Sequence, residues 1–242
     1  MIDLHCHLLP GLDDGPQTLT DSIKMAEVAV QQGITHLLAT PHHNTSEFYN
    51  PKETVLAAVE AFQSELDQRK IPLTLQPGQE IRLTGSIIQL LQQDGLLGMG
   101  ANSHHLLLEF PAMGVPQFTE QIFFELISLG YLPVIAHPER NPYFIQDPDR
   151  LLPFLEMGCL AQLTAPSYIG FYGRKIKRIA KKMVKHDLVQ LVASDAHDEK
   201  KRSFYLKNAY TQIGRNFGRE KVTRLQQTSR DIFLPQACQL TS

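Results

Sequence analysis

Residues 2–15 read IDLHCHLLPGLDDG: a short apolar strand candidate, Ile2–His5, running into a polar loop. In an extended strand the side chains at i and i+2 point the same way, so His5 and His7 leave the strand's end on one face. The same arrangement recurs along the chain. Further strand candidates are His36–Thr40, Leu73–Gln76, His105–Phe110, Pro133–Ala136, Leu160–Thr164 and Leu188–Ala193, each β-rich or apolar on both faces, as parallel strands covered on two sides require. His42 follows the second, Glu80 the third, and Glu109 falls at the end of the fourth. His137 ends the fifth, while Asp195 and His197 end the seventh. Metal-ligating residue types thus gather at the C-terminal ends of the strands, the rim on which barrel active sites are built.

Segments of helical periodicity fill the intervals. Asp21–Gln32 carries Ile23, Ala26, Ala29 and Val30 on one stripe and stops at Gly33. Pro51–Arg69, Ser86–Gln93, Gln117–Leu129, Asp147–Glu156, Arg174–His186, Ser203–Phe217 and Arg219–Gln226 follow. Alternating β and α elements predict an α/β fold with a parallel sheet and outer helices. Seven units in 242 residues favour a single-domain (β/α)7 barrel over a doubly wound sheet, and no linker or charge block divides residues 1–242.

Composition narrows the function classes. At 43% hydrophobic the chain can bury a large core, and a net charge of −2 offers no general attraction to nucleic acid or anionic lipid. The amino terminus lacks a basic region followed by a long apolar run, and no stretch approaches a membrane span; a cytoplasmic protein without membrane insertion is expected. Cys6, Cys159 and Cys238 are odd in number and far apart, which fits reduced thiols and speaks against a zinc knuckle. Six positions after Cys6 stands Leu12, and six after Cys159 stands Ala165, so the cysteine-plus-arginine spacing of thiolate phosphatases is missing.

Imidazole with carboxylate suits Zn²⁺, Mn²⁺ or Fe²⁺. Eight rim ligands, with Asp14 in the first loop, exceed what one ion needs. A bridging carboxylate such as Glu80 would hold two ions ~3.5–4 Å apart and make water a nucleophile near neutral pH. Arg140, three residues past His137, and Arg202, five past His197, are placed to grip phosphate oxygens with planar guanidinium forks. The chemistry points to phosphate-monoester hydrolysis, a reaction slow enough to call for several cations on one phosphoryl group.

With DLHCHLLPGLDDGP, TPHH, GQEI, LLLEF, VIAHPER and ASDAH in the same order from Asp3 to Arg202, the chain resembles the polymerase-and-histidinol-phosphatase (PHP) superfamily. Its opening is similar to the branch of bacterial metal-dependent protein-tyrosine phosphatases associated with capsule and exopolysaccharide synthesis. The resemblance implies a distorted seven-stranded barrel with three divalent ions, Mn²⁺ foremost, with Fe²⁺, Zn²⁺ and Mg²⁺ as alternatives. It implies one ion on His5, His7, Glu80 and Asp195, a second on Glu80, Glu109 and His137, and a third on Asp14, His42 and His197. It further implies phosphate binding by Arg140 and Arg202, and a substrate in the phosphotyrosine-bearing tail of a bacterial tyrosine kinase.

Other features carry plainer readings. His36, His104 and His105 fall at the wrong strand ends, His186 closes a helix, and His43 merely adjoins a ligand. Thr164 is the polar candidate at the sixth strand end without being counted as a ligand, and Tyr168–Gly173 is a candidate wall of the substrate cleft. The seven Lys and Arg residues of Arg174–Lys185 read as a solvated helix face before a docking surface for an acidic tail. A histidinol-phosphate-type small-molecule phosphatase, a nuclease and a non-catalytic phosphotyrosine-binding module are the competing functions.

Overall fold

The computed structural model describes residues 1–100 and 104–234; Cys238 lies outside them. Nine strands, all paired in parallel, run as β1 (Ile2–Cys6), β2 (His36–Ala39), β3 (His42–His43), β4 (Thr74–Pro77), β5 (Glu80–Arg82), β6 (His105–Glu109), β7 (Leu132–Ala136), β8 (Leu160–Thr164) and β9 (Leu191–Ala193) among the described residues. The helices between them are α1 (Leu19–Gln31), α2 (Lys52–Gln68), α3 (Ile87–Gln92), α4 (Thr119–Ser128), α5 (Pro142–Gln146), α6 (Leu152–Glu156), α7 (Ala165–Ile169), α8 (Gly173–Lys185), α9 (Leu206–Phe217) and α10 (Arg219–Phe233). The expected α/β alternation with parallel strands is present.

The second and third predicted strands are each followed, after a break, by a further short strand, and the sheet divides into β1-β2-β4 and β3-β5-β6-β7-β8-β9. The causes are local. Pro41 brings no N–H to the ladder between β2 and β3. Opposite it, Gly78 packs so closely on Leu38 that an added Cβ would lie 3.0 Å from its Cγ. Hydrogen bonds from Gly78 N to the Ala39 carbonyl (2.9 Å) and from Glu80 N to the Pro41 carbonyl (3.1 Å) carry the parallel register across the break. His42 and Glu80 emerge from it as direct partners across β3 and β5.

The first and last strands also meet at their C-terminal ends. Asp195 N donates to the His5 carbonyl (2.8 Å), and His7 N donates to the Ala196 carbonyl (2.9 Å). Buried Asp3 accepts from Ser194 N through Oδ1 (2.9 Å). His5, His7, Asp195 and His197 are therefore fixed to one another through backbone.

Most apolar side chains form one core between strands and helices. A smaller cluster on the opposite sheet face contains Leu4, Leu38, Leu107, Val134 and Leu191, closed off by Ile232 and Phe233 of α10. Glu109, two residues beyond Leu107, shares that face at the strand's end.

Several helix expectations shift. Asp147–Glu156 is a 3-10 turn, Pro148–Leu151, followed by the short α6, since Pro148 and Pro153 each remove a helical donor. The last helix continues past Gln226 to Phe233, carrying the two residues that seal the inner cluster. Within Tyr168–Gly173, Tyr168 is fully buried in α7, Phe171 is exposed and Tyr172 is half-buried. Buried Ile179, Ala180, Met183 and Val184 seat α8, leaving most of its basic side chains toward solvent, in keeping with a solvated face. His105, at the N-terminal end of β6, is half-buried. No helix among the described residues is long and apolar enough to cross a membrane.

Candidate metal centre

His5 Nε2, His7 Nε2, Glu80 Oε2 and Asp195 Oδ1 converge on one point. The nitrogens are 3.2 Å apart, and each lies 3.3 Å from Glu80 Oε2 and 3.4 Å from Asp195 Oδ1. In a tetrahedral shell with ligands at the roughly 2.0–2.1 Å expected of imidazole and carboxylate, neighbouring donors stand roughly 3.3 Å apart. The observed spacing fits a single cation between them. Without positive charge, facing imidazole lone pairs and two carboxylates in a fully buried site would be strongly disfavoured.

The orientation of the imidazoles supports the same assignment. His5 Nδ1 meets Gln162 Oε1 (2.9 Å), His7 Nδ1 meets Asp13 Oδ2 (2.6 Å), and His197 Nδ1 meets the Asp195 carbonyl (3.0 Å). Each acceptor holds the proton on Nδ1 and leaves Nε2 with a free lone pair facing the cluster, the tautomer a metal ligand needs.

Glu80 is the hub. Its Oε1 lies 2.7 Å from His137 Nε2, while Oε2 faces His5, His7 and His42 Nδ1, the last at 2.9 Å. Neither His42 Nδ1 nor Glu80 Oε2 has a hydrogen-bond partner among the described residues, so the two approach without bonding. Glu109 reaches the same corner, with Oε1 3.8 Å from His137 Nε2 and Oε2 4.0 Å from His42 Nδ1. On the far side, Asp14 Oδ1 lies 3.1 Å from His197 Nε2 and 3.5 Å from His42 Nε2. The nine residues expected as ligands gather in one cluster, where donors converge in three groups: His5, His7, Glu80 and Asp195; His7, Asp14, His42 and His197; and His42, Glu80 and Glu109. His137, expected with Glu80 and Glu109, approaches both but stands outside that convergence, where His42 takes the place expected of it. His7 also lies near Asp14 and His197. Its Nδ1 is held by Asp13 and its Nε2 faces the first group, so its contact there is ring stacking on His197 at 3.8 Å between centroids.

The electrostatics follow from burial and neighbours. Burial opposes ionisation of Glu80, yet the imidazoles of His5 and His42 hold its carboxyl well below the usual range. Asp195 is likewise held well down against burial by Arg140 and His5. Burial and the charge on Glu80 push the Glu109 carboxyl up to about 7. Burial and Arg140 push the His137 imidazole down to about 4. Burial acts to lower His7, but its ion pair with Asp13 outweighs this and raises it well above the usual histidine range.

Both predicted arginines approach the cluster from the open side. Arg140 Nη1 lies 2.8 Å from Asp195 Oδ2, and Arg202 Nη2 lies 3.7 Å from the same oxygen. Arg202 Nη1 also donates to Asp14 Oδ2 (3.0 Å). Tyr172 sits beside Arg140, its hydroxyl 3.4 Å from Nη1. The cavity above the cluster measures about 310 Å³ and is lined by Glu80, Glu109, His137, Arg140, Asp195 and Arg202, among others.

The family model for capsular polysaccharide synthesis, CpsB/CapC, matches residues 1–233. The chain belongs to this family. It is 41% identical over 220 residues to the tyrosine-protein phosphatase YwqE of Bacillus subtilis, covering 91% of this chain and 86% of that one. It is 37% identical over 210 residues to a putative tyrosine-protein phosphatase, CapC, of Staphylococcus aureus, covering 87% and 82%. A chain from the crystal structures of YwqE of Bacillus subtilis and CpsB of Streptococcus pneumoniae, described as metal-dependent tyrosine phosphatases, superposes with a TM-score of 0.94 at 39% identity, over 98% of this chain and 96% of that one. An organophosphorus hydrolase from Deinococcus radiodurans shares the fold at a TM-score of 0.57 and 13% identity.

Sequence reasoning missed the residues behind the ligands. Asp13 stands beside Asp14 in the same motif, and spacing gives no means of telling which acid faces outward. At the sixth strand, Gln162 rather than Thr164 reaches the cluster. Thr164 is buried and donates through Oγ1 to Glu139 Oε1 (2.7 Å). Arg82, paired with Glu109 at 2.7 Å, is a third arginine at the site. Of the other histidines, His43 packs near Tyr49 with both ring nitrogens unpartnered among the described residues. His36 meets Phe233 at the opposite strand end.

Proposed function

We propose that this protein is a cytoplasmic metal-dependent protein-tyrosine phosphatase, acting on phosphotyrosine in the tail of a bacterial tyrosine kinase that governs capsule or exopolysaccharide assembly. The observation that carries the reading is the convergence of three imidazoles, each fixed through Nδ1, with shared Glu80 beneath two arginines. Relatedness to phosphatases over nearly the whole chain gives that geometry its substrate class.

The site is read as holding three divalent ions, Mn²⁺ foremost, on His5, His7, Glu80 and Asp195, on Glu80, Glu109 and His137, and on Asp14, His42 and His197. Bound there, the ions supply the positive charge that activates water and neutralises the phosphoryl group. Arg140 and Arg202 exchange their contacts with Asp195 and Asp14 for phosphate oxygens, orienting the ester and stabilising charge that grows in the transition state. Gln162 and Asp13 keep the His5 and His7 rings aimed. The meeting of β1 with β9 supports a closed, distorted (β/α)7 barrel in one domain.

The test is phosphate release from a phosphotyrosine peptide with Mn²⁺, with and without chelator and vanadate. Release abolished by chelator and little affected by vanadate is expected. No release from the peptide beside good turnover of a small phosphate ester would remove the tyrosine phosphatase role.

A further inference from the structure

A second cavity, of about 400 Å³, adjoins the catalytic one. Pro111, Met113, Val115, Pro116, Pro142 and Tyr143 form most of its wall, and no charged side chain among the described residues lines it. It is continuous with the site: Pro142 lines both cavities, and Pro111 lies between Phe110 and Ala112, which border the catalytic one. The wall is braced. Asn141 Nδ2 donates to the Pro111 carbonyl (3.2 Å), tying the loop after β6 to the start of α5. The Arg150 guanidinium lies over the Tyr143 ring, 4.5 Å from its centroid, and Nη1 donates to the Tyr143 carbonyl (3.3 Å). Proline-fixed backbone and an anchored aromatic ring make a preformed surface, which lowers the ordering cost of binding. Yet Met113 at its edge is 93% exposed, an unusual place for a large apolar side chain beside an apolar wall.

We propose that this groove is a subsite for an apolar side chain of the polypeptide flanking the phosphotyrosine. The inference rests on the tyrosine phosphatase reading and deepens it. A small phosphate ester held by the arginines ends within the catalytic cavity, whereas a polypeptide continues beyond it and a residue close to the phosphotyrosine falls over Pro142. The lack of charge in the groove selects for an aliphatic or proline residue there and against an acidic one, which would lose its hydration without a partner.

The experiment compares two phosphotyrosine peptides, differing only in leucine or aspartate beside the phosphotyrosine, with p-nitrophenyl phosphate, on the metal-loaded enzyme and on Met113→Asp and Met113→Leu. The wild type should favour the leucine peptide about tenfold in kcat/KM. Met113→Asp should erase that preference through KM while leaving p-nitrophenyl phosphate turnover and the melting temperature unchanged, and Met113→Leu should retain it. Peptides cleaved well but with no preference, or a preference that survives Met113→Asp, would overturn the subsite while sparing the phosphatase reading. A dimer that Met113→Asp converts to monomer would assign the groove to a second copy of the chain and overturn it too. Failure of the wild type on both peptides would sink both readings together.

Discussion

The Asp13 carboxylate lies 2.6 Å from His7 Nδ1 and also accepts from the backbone N–H of His42 and of Gly15. One buried acid thus aims a ligand from β1 and fixes the backbone of a ligand on β3. Gly15 makes this fit, since any Cβ there would collide with the His7 carbonyl.

Asp13→Asn is nearly isosteric but presents an amide where the imidazole proton needs a carboxylate. Mn²⁺ affinity should fall about 10–100-fold, the usual cost of losing such a partner. Activity should recover in excess Mn²⁺, whereas a ligand variant such as His5→Ala should not. Metal binding followed by calorimetry checks this. Unchanged affinity in Asp13→Asn would reduce Asp13 to a loop brace.

Arg140 should separate from the ligands by the opposite signature. Its guanidinium touches Asp195 Oδ2, the carboxylate oxygen turned away from the His5–His7 pair, so its loss leaves the converging atoms in place. Arg140→Ala should lower kcat/KM about 10²–10³-fold with metal content kept. Arg140→Lys should rescue little, because a point charge does not reproduce a planar fork. Equal loss of metal and activity, measured by elemental analysis beside kinetics, would make Arg140 structural.

The strand ends were legible because the chemistry marks them: histidine and carboxylate on apolar strands have few uses besides ligation. His5, His7, Glu80, Glu109, His137, Asp195 and His197 were placed by that logic, and α/β alternation placed their scaffold. Less legible was what depends on direction. Gln162 and Thr164 lie two apart on β8 and share a face, and nothing in the sequence says which of two plain polar side chains reaches the ligands. Arg82 lies six residues beyond the predicted strand Leu73–Gln76, and only the fold sets it against Glu109. The strands beyond Pro41 and Gly78, β3 and β5, were hidden because two or three residues are too few for a two-residue period to register. Helices α5 and α7, each five residues long, are too short for periodicity to register.

Glu80 should be the least replaceable ligand. One oxygen faces His137 and the other faces His5, His7 and His42, so it belongs to two of the groups. Glu80→Gln should lose more than one ion per chain and essentially all activity, while His137→Ala should lose no more than one. Chelation should lower the melting temperature of wild type, since ions bound only to the folded state stabilise it by mass action, about 2.7 kcal/mol at a hundredfold excess over Kd. Glu80→Gln should show little further drop with chelator. A variant holding its full metal complement would refute the hub assignment.

Metal uptake should release protons, and the sign follows from Glu109 and His7. In the ion-free protein the Glu109 carboxyl sits at about 7, raised by burial and by Glu80, so at pH 6 it is largely protonated. His7, raised by Asp13 against burial, is protonated there as well. His137, lowered to about 4, is already neutral and offers no competition. A cation must displace the protons on Glu109 and His7, so affinity should climb as pH rises through about 7, by up to roughly tenfold per unit for each proton displaced. Titration of Mn²⁺ at pH 6 in two buffers of different ionisation enthalpy should show a buffer-dependent heat that shrinks by pH 8. Glu109→Gln should flatten part of the slope. Identical affinity at pH 6 and pH 8 with no buffer dependence would mean that neither group carries a proton before the metal arrives.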